Sequence, residues 1–193
     1  MKKIVWAFLL LIATHGYGQD VKRITDDYNA YSKLLAEKSF EKAFDYLNPG
    51  IFDIAPKAQL LEVMNQTLNN PAITLEVSNP EVSEFSEVKK IGETYYVKFK
   101  TFNIIKMKFN GLFGSDKTPE EIQATPQKMK ESFDAKFGAG NVSYDEKTQF
   151  FQIKATKPVI ASSADKTSWK FITIDDDSQK PMLSQFIPAE LLN

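Results

Sequence analysis

The chain has 193 residues, with 24 lysines and arginines against 25 acidic residues, one histidine and no cysteine. The missing cysteines exclude disulfides, a cysteine nucleophile and thiolate zinc sites. A near-zero net charge disfavours a polyanion-binding surface, which would be strongly basic, so nucleic acid is not an expected partner.

Lys2 and Lys3 precede an apolar run from Ile4 to Ala13, and Gly16 and Gly18 place small residues at −3 and −1 of a cut before Gln19. This is the layout of a cleaved secretory signal peptide over residues 1–18. The run is about half of the roughly 20 apolar residues that span a bilayer, so no transmembrane anchor is expected. The protein is therefore expected to be secreted or periplasmic. His15 leaves with the signal. Gln19–Asn193 then holds 22 basic residues (24 less Lys2 and Lys3) against 25 acidic ones, a net charge of −3, with neither histidine nor cysteine. This length suits one α+β domain over 19–193 with a sizeable hydrophobic core.

Val21, Ile24, Tyr28, Tyr31 and Leu35 recur at helical steps and predict a first helix. Ser39 reads as the N-cap of a short second helix carrying Phe40, Ala43, Phe44 and Leu47, ended by Asn48-Pro49-Gly50. Pro56 opens a third helix with Leu60, Leu61, Met64 and Leu68 on one face, stopped by Asn69-Asn70-Pro71. The period then falls to two. Ile73, Leu75 and Val77 alternate with polar neighbours, residues 82–90 form a weaker strand, and Ile91-Gly92-Glu93 is a turn.

Residues 94–109, TYYVKFKTFNIIKMKF, carry the longest pattern. Tyr95, Val97, Phe99, Ile105, Met107 and Phe109 share one parity, and Lys98, Lys100, Lys106 and Lys108 the other, so one face should be buried and one wet. At about 3.3 Å per residue the run would reach roughly 50 Å, long for one strand. A bulge or bend is expected at Thr101 and Asn103, the polar residues on the apolar parity. Residues 110–118 read as a loop. Thr118-Pro119-Glu120-Glu121 is a capping box, Pro126 should restart the helix with Thr125 as its cap, and Gly138-Ala139-Gly140 closes it. A hairpin over 141–145 and 148–157, a strand near 168–174 and a short helical turn at Ile187-Pro188-Ala189-Glu190 follow. The order predicts an α+β fold in which N-terminal helices pack on a curved, cone-like antiparallel sheet, with one extra helix inserted between strands.

The first helix, the short helix ending in YLNP and the stretch IAPKAQLLEVMNQTL resemble the opening of the nuclear transport factor 2-like superfamily, which includes SnoaL-like and ketosteroid-isomerase-like proteins. The segments FGAGNVSYDEKTQFFQIKA, SWKF and FIPAELL resemble small secreted bacterial proteins of unassigned activity. The resemblance implies a cone with an open mouth. It places no catalytic residue, because no motif of the superfamily can be matched residue by residue.

Without histidine or cysteine beyond residue 18, no Ser-His-Asp triad is available, and no glycine-rich phosphate loop occurs. No catalytic residue, cofactor or metal ligand is assigned. Asp175-Asp176-Asp177-Ser178 lacks the glycine and distant glutamate of a calcium loop and reads as a solvated turn. Leu112 and Phe113, between Gly111 and Gly114, are either an interaction loop or a loop tucked onto the body. The lysine row is the wet face of a strand or, alternatively, a surface for anionic glycan or phospholipid. Inside the cone, Tyr28, Tyr31, Tyr46, Tyr95, Phe99, Asn103 and Trp169 are the expected ligand-binding lining, with Asp45 and Thr101 beside them; the competing reading is a set of core aromatics. The favoured function is a non-enzymatic module that binds an apolar or amphipathic small molecule or a peptide. The alternatives are a histidine-free lyase or isomerase using Tyr and Asp, and a structural, self-associating envelope protein forming a homodimer.

Overall fold

The computed structural model describes residues 2–111 and 118–193, with side chains described from residue 18 onward except at 119 and 121–123. The fold is α+β. The helices are α1 (Lys2–Ala36), α2 (Phe40–Ala43), α3 (Ile51–Ile54), α4 (Lys57–Leu68), α5 (Pro119–Phe137) and α6 (Lys180–Leu183). The strands are β1 (Ile73–Val77), β2 (Glu81–Ser83), β3 (Lys89–Ile91), β4 (Thr94–Phe109), β5 (Val142–Asp145), β6 (Phe150–Ser163) and β7 (Lys170–Thr173). They form a seven-stranded sheet along the path β1-β4-β6-β5, with β2 and β3 also on β4 and β7 on β6. No described helix is long and apolar enough to cross a membrane.

The chain divides into two compact units, each discontinuous in sequence. The first holds residues through Pro56, Val82–Lys100 and Lys157–Asn193. The second holds Lys57–Glu81 and Thr101–Thr156. β4 and β6 run through both, and the boundary on β4 falls between Lys100 and Thr101. β4 is continuous as one strand from Thr94 to Phe109, through Thr101 and Asn103. What changes there is the partner: β3 pairs with residues 94–96 and β1 with residues 105–109.

In the first unit the sheet is buried on both faces. On one face Ile24 and Tyr28 of α1 pack on Val97, Phe99, Val159, Ala161, Trp169 and Phe171. On the other, Tyr96, Ile160 and Ile172 lie under Leu183, Ile187, Leu191 and Leu192 of the C-terminal segment. The face of β4 expected to be wet is only partly so here: Lys100 is exposed and Lys98 half-buried, but the C-terminal residues cover Tyr96, and Val159-Ile160-Ala161 of β6 are buried in succession, as two-sided burial demands. β6 also outlasts its expected end at residue 157: Val159–Ser162 pair with β7, and the Pro158 carbonyl accepts from the Ile174 amide at 2.9 Å. Ser39 occupies the N-cap of α2 without a side-chain hydrogen bond, and a 3-10 turn, Phe44–Tyr46, follows.

In the second unit Met129, Phe133 and Phe137 of α5, spaced four apart, pack on Phe109, Val142, Phe151 and Ile153. Phe133 meets Phe151 edge-on at 5.3 Å. α5 runs through Pro126 unbroken, contrary to the expected restart. Pro126 is buried, and that burial opposes the loss of one helical hydrogen bond.

Candidate functional site

Six of the seven expected lining residues come together in the first unit. Tyr28, Phe99 and Trp169 are 6%, 2% and 0% exposed, and Tyr31, Tyr46 and Tyr95 pack against them. Tyr28 meets Phe99 at 5.3 Å and Phe171 at 5.0 Å, both edge-on, the geometry favoured by ring quadrupoles. Burial, with smaller contributions from Tyr28 and Asp175, pushes the Tyr31 hydroxyl far above the ordinary tyrosine range. Tyr46 and Tyr95 lie under the ammonium groups of Lys170 and Lys166. These rings pack on one another, the arrangement expected of a set of core aromatics.

Trp169 is the exception in that cluster. Its backbone N–H donates to Asp27 Oδ2 at 3.0 Å, but its buried indole Nε1–H finds no acceptor among the described residues. Asn103 lies in the second unit and is half-buried there. Its Nδ2 donates to the Ser78 carbonyl at 3.1 Å, so it ties a loop to β4 rather than joining the aromatic set. Leu112 and Phe113 lie outside the described residues. Of the lysine row, Lys98 donates to the Asn193 carbonyl at 2.7 Å and Lys100 pairs with Glu84 at 2.6 Å. In the aspartate run, Asp176 accepts from the Ser178 amide, which is the chemistry of a turn.

A groove of about 300 Å³ occupies the face of the second unit's sheet opposite α5. Strand register builds it. Glu76 on β1 is paired across with Lys106 on β4, and Ser143 on β5 with Gln152 on β6. Glu76, Lys106 and Ser143 are exposed and Gln152 is half-buried. None of the four has a side-chain hydrogen bond or ion pair among the described residues. Phe150, half-buried, adds an aromatic surface, and Tyr144, whose ring packs on Phe151 at 4.7 Å, borders the groove.

Asp145 and Thr148 close one end. The Asp145 carboxylate accepts from the Lys147 amide at 2.9 Å and the Thr148 amide at 3.4 Å. The Thr148 hydroxyl, then these amides, holds its pKa below the usual carboxylate value. Asp145 is therefore committed to its turn. The four unbonded side chains supply a carboxylate acceptor, an ammonium donor, an amide that does both and a hydroxyl that does both. No group of three or more metal-capable side chains occurs among the described residues.

This groove escaped the sequence reading, which assigned Lys106 only to a lysine row. A signal was present in Phe150-Phe151: consecutive residues of a strand face opposite sides, so one ring must stand on the polar face.

No family model, no curated protein and no solved structure matches this chain. Nothing in these comparisons identifies a nuclear transport factor 2-like fold.

Proposed function

We propose that the chain is a secreted or periplasmic, non-enzymatic binding module that holds a small hydroxyl-rich molecule, a sugar or polyol, in the groove of the second unit. One observation carries this reading. Four polar side chains from four neighbouring strands converge on one cavity with their hydrogen-bonding capacity unspent, beside an aromatic ring. Each hydroxyl of a polyol needs both a donor and an acceptor, and this set offers both. The ligand differs from the apolar guest expected inside a cone, because the apolar interior of the first unit is occupied by its own rings.

The test is calorimetric titration of the protein with a panel of monosaccharides, short oligosaccharides and polyols, repeated for Gln152→Ala and Lys106→Ala. At least one panel member should bind the parent protein, and either substitution should weaken that binding at least tenfold without lowering the melting temperature. An empty panel, or binding indifferent to both substitutions, overturns the proposal.

A further inference from the structure

We infer that Gln19 is a modification site: once the leader is removed, its α-amino group closes on its own side chain to give an N-terminal pyroglutamyl residue. This rests on the reading of residues 1–18 as a cleaved signal.

The onset of burial marks the place. The Gly18 backbone faces open space, with no atom within 4 Å of where a Cβ would stand, and Gln19 is exposed. Asp20, the next residue, is 9% exposed, and its carboxylate lies 2.9 Å from Lys166 Nζ. Arg23 Nε donates to the Thr167 carbonyl at 2.8 Å, and Ile24 is fully buried. The loop between β6 and β7 thus clamps α1 from Asp20 onward. That loop is itself closed by Asp165, which accepts from the Thr167 amide at 2.8 Å and from the Thr167 hydroxyl at 2.8 Å. A cut before Gln19 leaves one residue outside the clamp and no slack tail.

That residue is glutamine, whose side chain can reach its own amine. After the cut its α-ammonium would sit at the positive end of the helix, which opposes a cation. The neighbouring carboxylate of Asp20 is already engaged by Lys166. The electrostatics therefore favour the neutral amine. The amine nitrogen attacks Cδ, a new N–Cδ bond forms, the Cδ–Nε2 bond breaks, and a proton passes from the amine to the departing nitrogen. Ammonia leaves, and a neutral five-membered lactam remains. No oxidant or co-reactant is required. The lactam removes the free amine from which an aminopeptidase would start, and it protects the residue immediately outside the Asp20–Lys166 pair.

The experiment is intact-mass and N-terminal peptide mass spectrometry of the protein purified from its own host, with Edman sequencing alongside. The expected result is a chain starting at position 19, lighter by one ammonia than Gln19–Asn193 and blocked to Edman degradation until treated with pyroglutamyl peptidase. A chain starting at Gln19 with a free amine and its full mass overturns the modification and leaves secretion standing. A chain still carrying residues 1–18 overturns the secretion reading and the modification with it. A Gln19→Ala protein incubated with an aminopeptidase should lose N-terminal residues faster than the parent; equal rates would count against the protective role.

Discussion

Lys166 reaches across 146 positions of sequence to hold the carboxylate of Asp20 at 2.9 Å. The Asp20 side chain is 12% exposed and that of Lys166 35%. Lys166→Ala leaves the carboxylate nearly buried and unpaired. The expected loss is about 1–2 kcal/mol, less than for a fully buried pair because the ammonium is partly screened. Urea denaturation measures it. Asp20→Asn in the Lys166→Ala background should cost much less than Asp20→Asn alone, and strictly additive losses would show that the pair contributes nothing.

Trp169 separates packing from hydrogen bonding. Trp169→Ala empties a fully buried site and should cost about 3–5 kcal/mol. Trp169→Phe keeps most of the ring and removes an indole N–H that has no acceptor among the described residues. It should lose clearly less than the alanine variant, since an unpaired buried donor itself costs about 1–3 kcal/mol. Thermal melts of the two variants decide this. Equal losses would mean that the indole N–H is satisfied in solution.

Gly50 has an ordinary backbone conformation, φ −59°, so conformational freedom does not explain it. A Cβ at that position would stand 2.3–2.6 Å from three carbon atoms of Phe186. Gly50→Ala should therefore destabilise by about 1–3 kcal/mol through overpacking. Phe186→Leu should recover part of the loss in the double variant. A stable Gly50→Ala protein would show that the Phe186 ring is free to move aside.

The acid limb of stability should carry the signature of Asp165. Its carboxyl pKa is lowered by the Thr167 amide first and the Thr167 hydroxyl second. A folded value below the unfolded one, about 3.9, gives stability that is complete above the unfolded value and lost as pH falls from there toward the folded one. Asp165→Asn should flatten the stability–pH curve below about pH 4 and leave it parallel to the parent at neutral pH. Chemical denaturation between pH 2 and 7 reads this directly, with an unchanged acid limb as the contrary result.

The elements themselves were largely legible. The step from three- and four-residue spacing to alternation at Ile73 located the change from helix to strand, and TYYVKFKTFNIIKMKF did form one strand. Errors arose where a local signal met distant packing. Pro126 reads as a helix start, yet burial keeps it inside α5. The strand expected over 148–157 runs on to Ser163, because residues 159–162 pair with β7. The site was less legible than the fold. Side-chain parity tells which residues share a face of a strand, but not whether that face opens to water, holds a ligand or lies under another segment.

Taken alone, the sequence determined the class of structure, the order of the longer helices and strands though not the short helices α3 and α6 or the division of residues 82–90 between β2 and β3, and the absence of histidine and cysteine beyond residue 18. These follow from periodicity and composition, which are local properties. Tertiary structure alone decided that the C-terminal segment covers Tyr96, that the expected lining aromatics pack on one another, and that Glu76, Lys106, Ser143 and Gln152 share a groove. Each of these depends on strand register or on contact between residues far apart in the chain. Those terms are set by the free energy of the assembled core and by no single segment within it.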